Sequence, residues 1–149
     1  MTNRRTSRIL TICLAGSALA VSSTAALAKS PGIAVVSPAK GATVSGPVKV
    51  TVSLSAFKIN AATVGKAPAA GMGHLHFSLD GGKFDQPKYS GANGALAKKL
   101  GTNGKYSPSV TTSVTYTGLP KGKHTLVVYL ANNDHSNVGA KATSTFIVK

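Results

Sequence analysis

The sequence predicts an all-β protein, an antiparallel sandwich of about seven short strands set behind a secretion signal. Three observations carry that expectation. Beyond residue 32, apolar residues recur at every second position. Clusters of Gly, Pro and Asn punctuate the apolar runs. No segment in that stretch has a convincing helical period, and Gly91, Gly94 and Gly101 in and around the best candidate, Ala92 to Leu100, argue against more than a turn.

The strands follow in order. Ile33 to Val36 is a short apolar run closed by Ser37-Pro38 and a turn at Lys40-Gly41. Val48, Val50, Val52 and Leu54 alternate with Lys49, Thr51 and Ser53, so one face should be buried and the other wet. Leu75, Phe77 and Leu79 alternate in the same way with His74, His76, Ser78 and Asp80. A Thr- and Val-rich strand is expected over 110–116, an inward row of Leu126, Val128 and Leu130 over 124–131, and a closing strand over 142–148. This order resembles that of an immunoglobulin- or fibronectin-III-like sandwich. Two connections, 55–73 and 81–109, are long for a compact domain, and the second is expected to contain a further edge strand.

Residues 1–28 have the build of a signal peptide. Arg4, Arg5 and Arg8 form a cationic front, Ile9 to Val21 is apolar, and Ala26-Leu27-Ala28 is a small-x-small cleavage site. The apolar run is short for the ~30 Å of a membrane core. Cleavage after Ala28 would leave one domain, 29–149, exported to the periplasm, the cell envelope or the medium. The Arg4-Arg5 pair allows twin-arginine export, but Thr6 and Ser7 follow it. Cys13, preceded by bulky Ile12, sits too early for a lipoprotein site.

Cleavage would lower the formal net charge from +14 to +11 and remove the only cysteine, excluding disulfides and thiolate chemistry. The remaining cations are all lysines, spread along the chain. Lysine is a solvated point charge without the fork of arginine. Without a basic stripe or stacking rings, nucleic acid is excluded as a partner. A diffuse lysine field suits anionic cell-envelope polymers or lipid headgroups, and it equally serves plain solubility. Catalysis is not expected: the chain has no glutamate, its three aspartates form no pair, and Gly-x-Ser-x-Gly is absent.

The four histidines carry the chemistry. His74 and His76 lie two apart on a strand, so both project from one face ~6.6 Å apart. Two imidazoles so spaced can converge on one Zn or Cu ion. His135 lies in the loop joining the last two strands, over the start of the His74 strand, and Asp134 beside it is a candidate oxygen ligand or supporting partner. Met72 adds a possible thioether, which would favour Cu(I). The site should be exposed, its affinity modest, and its binding weakened as pH falls through ~6.5. His124 shares the parity of Leu126 and points inward at the opposite end, a structural corner bonded to backbone near Asp80.

Gly73-His74-x-His76-x-x-x-Asp80 together with Leu119-Pro120-x-Gly122-x-His124 resembles uncharacterised families of exported bacterial immunoglobulin-like domains. The opening Ser37-Pro38-x-x-Gly41-x-x-Val44-x-Gly46-Pro47-Val48 is similar to their first strand pair. The resemblance spans Ile33 to Lys149 and implies the fold rather than an activity. Related members carry further histidines between the third and fourth strands, where this chain has none. Three functional classes follow: a metal-binding module using surface histidines, a structural module touching anionic polymers through lysines, and a metal-dependent enzyme.

Overall fold

The computed structural model describes residues 29–84, 95–96, 98–101 and 105–149. The expected signal peptide, 1–28, lies outside the described residues. No helix among the described residues is long and apolar enough to cross a membrane. Within the one helical candidate, Ala95, Leu96, Lys98 and Lys99 are helical, and the Leu100 N–H donates to the Leu96 carbonyl at 3.0 Å.

The architecture is all-β. The strands are β1 (Gly32–Ser37), β2 (Thr43–Val44), β3 (Val48–Ser55), β4 (Lys58–Ile59), β5 (Met72–Leu79), β6 (Ser107–Ser109), β7 (Ser113–Tyr116), β8 (Gly122–Asn132) and β9 (Asn137–Val148). One sheet has the order β1-β3-β7. The other runs β2-β9-β8-β5-β4, with β6 also paired to β5. The β5–β8 and β8–β9 pairs are antiparallel, whereas two-residue β2 and β4 join β9 and β5 in parallel.

Alternation places the core. Val48, Val50 and Val52 from β3 cluster with Leu75, Phe77 and Leu79 from β5 and Leu126, Val128 and Leu130 from β8. Each such side chain contributes about 1.5–3 kcal/mol when fully buried, and most of these are at or near zero exposure. The core therefore draws on both sheets and fixes which face of β5 carries Leu75 and Phe77.

Two expectations change. The Thr/Val run expected over 110–116 is strand only from Ser113, as β7, and residues 110–112 form a bend. Ser109 Oγ accepts the Thr111 N–H at 3.1 Å, a turn that separates β6 in one sheet from β7 in the other. The second long connection does contain a further strand, since β6 pairs with β5. The other change is on β5, where every residue from Gly73 to Leu79 is buried. β5 is an inner strand, paired with β8 on one edge and with β4 and β6 on the other, and the face holding His74, His76 and Ser78 is covered by packing from beyond the sheet. Tyr106 and His135 then lie across it.

Candidate metal centre

β5 presents His74 and His76 because strand geometry sends Leu75 and Phe77 the other way. Opposite them on β8 stand Ala131 and Tyr129, while Leu130 and Val128 oppose the core pair. Gly73, just before His74, lets two backbones approach closely: a Cβ there would overlap the Ala131 carbonyl oxygen. The start of β5 is therefore pressed against the end of β8.

The β8–β9 hairpin supplies the third histidine. Asn132 N–H donates to the Ser136 carbonyl at 2.8 Å, and His135 N–H donates to the Asn132 carbonyl at 3.0 Å. His135 itself has φ 64, a left-handed conformation unusual for a residue with a side chain. Contacts on both sides hold that backbone. Ser136 donates to Asp134 Oδ1 through both its N–H (3.0 Å) and its hydroxyl (2.6 Å). Buried Asn133 donates to the Ala67 carbonyl at 3.1 Å, and its Oδ1 lies 2.8 Å from Thr63 Oγ1. Its carbonyl also accepts from the Gly65 N–H at 2.6 Å. The loop is thus tied to the 60–67 segment.

The outcome is a triangle of nitrogens. His74 Nε2 lies 2.9 Å from His76 Nε2 and 2.9 Å from His135 Nδ1, and the remaining edge is 3.1 Å. Exposure of the three residues is 0, 3 and 2 %. With metal–nitrogen bonds of ~2.05 Å, these edges subtend N–metal–N angles of roughly 90–100°, so three imidazoles cap one face of a single ion. One cation accepts three lone pairs at once, whereas any nitrogen that keeps its hydrogen withdraws its lone pair.

Electrostatics keep this set neutral. Burial lowers the pKa of His74 to about 4, helped by His135 and opposed by the Asp134 charge. Burial also lowers that of His76 to about 2, with His74 and His135 adding to the shift. His135 is lowered by burial and raised in part by Asp134. Neutral imidazoles are the form that binds metal.

The exposure expected for the site differs, while His124 falls where it was expected. The histidines are buried rather than on the surface, because the second face of β5 is covered. Asp134 stands outside the cluster, its Oδ1 engaged by Ser136; it acts on the histidines through its charge. Met72 Sδ accepts from Asn60 Nδ2 at 3.5 Å. At the far end of β5, His124 Nδ1 lies 2.7 Å from Asp80 Oδ2 and its Nε2 2.8 Å from the Pro120 carbonyl. Asp80 Oδ1 also accepts the Thr125 N–H at 2.7 Å. Six residue steps, ~20 Å at strand rise, separate Asp80 from His74, so His124 belongs to a separate corner.

Sequence reasoning missed the aromatic wall. Tyr106 stacks on His76 with ring centroids 5.5 Å apart, and Tyr129 meets Tyr106 edge-on at 4.9 Å. The pairing of Tyr129 opposite His76 was available only once the β5–β8 register was known. On its other flank, His74 lines a cavity of about 510 Å³ with Val64, Ser109 and Val114. No protein-family model and no curated protein matches this sequence.

Proposed function

We propose that this chain is an exported, immunoglobulin-like domain that binds one copper or zinc ion through His74, His76 and His135. The observation that carries the reading is the nitrogen triangle with edges of 2.9–3.1 Å, assembled from a strand and a hairpin 59 residues or more apart in sequence. Three nitrogen donors without thiolate or carboxylate suit borderline metals, and imidazole suits both Zn and Cu. The depressed pKa values of all three histidines support the same reading, because they remove proton competition near neutral pH. Export is supported by the cationic, apolar, Ala-x-Ala succession before Lys29. The role is that of a non-catalytic metal-handling module.

X-ray absorption of the copper- or zinc-loaded protein tests this directly. The expected spectrum has imidazole multiple scattering from three nitrogens at ~2.0 Å. A metal bound without imidazole scattering would overturn the assignment.

A further inference from the structure

Resting on that metal reading, we infer that the bound ion also takes a small anion, an oxyanion or a carboxylate, in the cleft between the metal ligands and Tyr129. The first argument is charge. Three neutral imidazoles leave a divalent ion with its full charge in a buried site, and buried charge is costly unless paired. The chain has no glutamate and three aspartates. Of these, Asp80 is engaged by His124 and Thr125, and Asp134 by Ser136. Among the described residues, the Asp134 charge near His74 and His135 offsets part of the ion's charge, and no carboxylate joins the ligand cluster, which leaves room for an anion from solution.

The second argument is the cleft itself. His76 and His135 line a cavity of about 250 Å³ together with Tyr106, Tyr129 and Asn137. His74, the third ligand, does not line it. The cap of three nitrogens spans only one face of the ion, and a further donor approaching from this cleft reaches the ion past two of them. Its volume suits a ligand of a few heavy atoms.

The third argument is a row of residues across the sheet. His76 on β5 opposes Tyr129 on β8, and Tyr129 opposes Lys141 on β9. Directly opposed residues share a face and lie about 4.5–5.5 Å apart at Cβ. A metal ligand, a phenol and an ammonium therefore stand in line on one face. Lys105 also lies close enough to Tyr106 to act on it through its charge, as Lys141 does. The Tyr129 hydroxyl shares a side-chain hydrogen bond with Tyr106, so an anion on the metal would meet that hydroxyl pair and then a positive field, an arrangement that favours negative ligands.

Azide is the probe. The protein loaded with one equivalent of Cu(II), verified by metal analysis, should develop a saturable azide-to-copper charge-transfer band with one azide per copper. Acetate and bicarbonate should compete for it. Tyr129→Phe should weaken azide binding per bound copper by about tenfold, the scale of one hydrogen bond to a charged group. Lys141→Gln should weaken it by about two- to fivefold and reduce its salt dependence. Stoichiometric copper with no azide band would overturn the anion site and leave the metal reading standing. Failure to bind copper at all would overturn both. Azide binding unaffected by either substitution would remove the Tyr129–Lys141 row from the site.

Discussion

His74 Nε2 and His135 Nδ1 stand 2.9 Å apart although 61 residues separate them in sequence. The contact exists because Gly73 opposes Asn132 in the β5–β8 pair, which brings the start of one strand under the hairpin that ends the other. The hairpin is not free to turn away. Asn133 and Ser136 hold it from two sides, and His135 keeps its left-handed backbone as a result. Strain retained at such a position costs of order 1–3 kcal/mol and is found where function requires a fixed side chain.

Gly73→Ala tests the close approach. The added methyl would overlap the Ala131 carbonyl, so the strands must part or shift. The expected loss is about 1–3 kcal/mol in chemical denaturation. Metal affinity should fall with it, because the same displacement moves His74. Unchanged stability would mean that the β5–β8 approach is looser than described.

Asn133→Ala tests the hairpin anchor. It removes the bonds to Ala67 and Thr63 while leaving all three imidazoles in place. Partners bonded directly to a ligand are worth about 10–100-fold in metal affinity, and Asn133 acts one step further back, fixing the backbone two residues before His135 through Thr63, Ala67 and Gly65. A loss towards the lower end of that range is expected in a competition titration with a chromophoric chelator, and an affinity within twofold of wild type would contradict it.

The metal-free protein should be acid-sensitive in a defined window. Unfolded imidazoles take up protons near ~6.5, whereas folded His74 and His76 do so only near about 4 and about 2. Between these values the unfolded state binds more protons, so stability rises with pH. Urea midpoints of the apo protein should therefore fall as pH drops from ~6.5 towards 4, and further below that. Above pH 7 these groups should contribute no slope. For the same reason metal binding should persist below ~6.5, lower than an exposed site would allow. A urea midpoint constant from pH 7 to pH 4 would contradict this account of the cluster.

His124→Ala separates the corner from the metal centre. The imidazole is buried between Asp80, the Pro120 carbonyl, and the rings of Phe84 and Phe146. Its loss strands both acceptors and should cost ~1–3 kcal/mol. Metal stoichiometry should be unaffected, given the ~20 Å of β5 between the sites. Loss of metal binding without loss of stability would place His124 in the metal site.

Much of this is legible in the amino-acid sequence. Period-two alternation located β3, β5 and β8 and their buried rows, and the two-residue spacing of His74 and His76 marked a shared face. What alternation cannot show is whether the second face of a strand is wet. His74, His76 and Ser78 are polar and so suggested solvent, yet packing from beyond the sheet, Tyr106 and the hairpin included, covers them. Adjacency to His135 also leaves open whether Asp134 is a ligand or a supporting partner, since it does not reveal that Ser136 donates to its Oδ1. Tyr106 was invisible in sequence, lying outside every alternating run, and the break between β6 and β7 depended on one serine side chain.

Calorimetric titration of zinc into the wild-type protein and into the His74→Ala/His76→Ala variant tests the central claim most directly. Wild type should bind one ion per chain with release of few protons at pH 7, since the ligands are already neutral. The double variant should lose that binding while remaining folded. Equal affinities in the two proteins would contradict the account and make the three histidines a packed polar cluster with no role in holding metal.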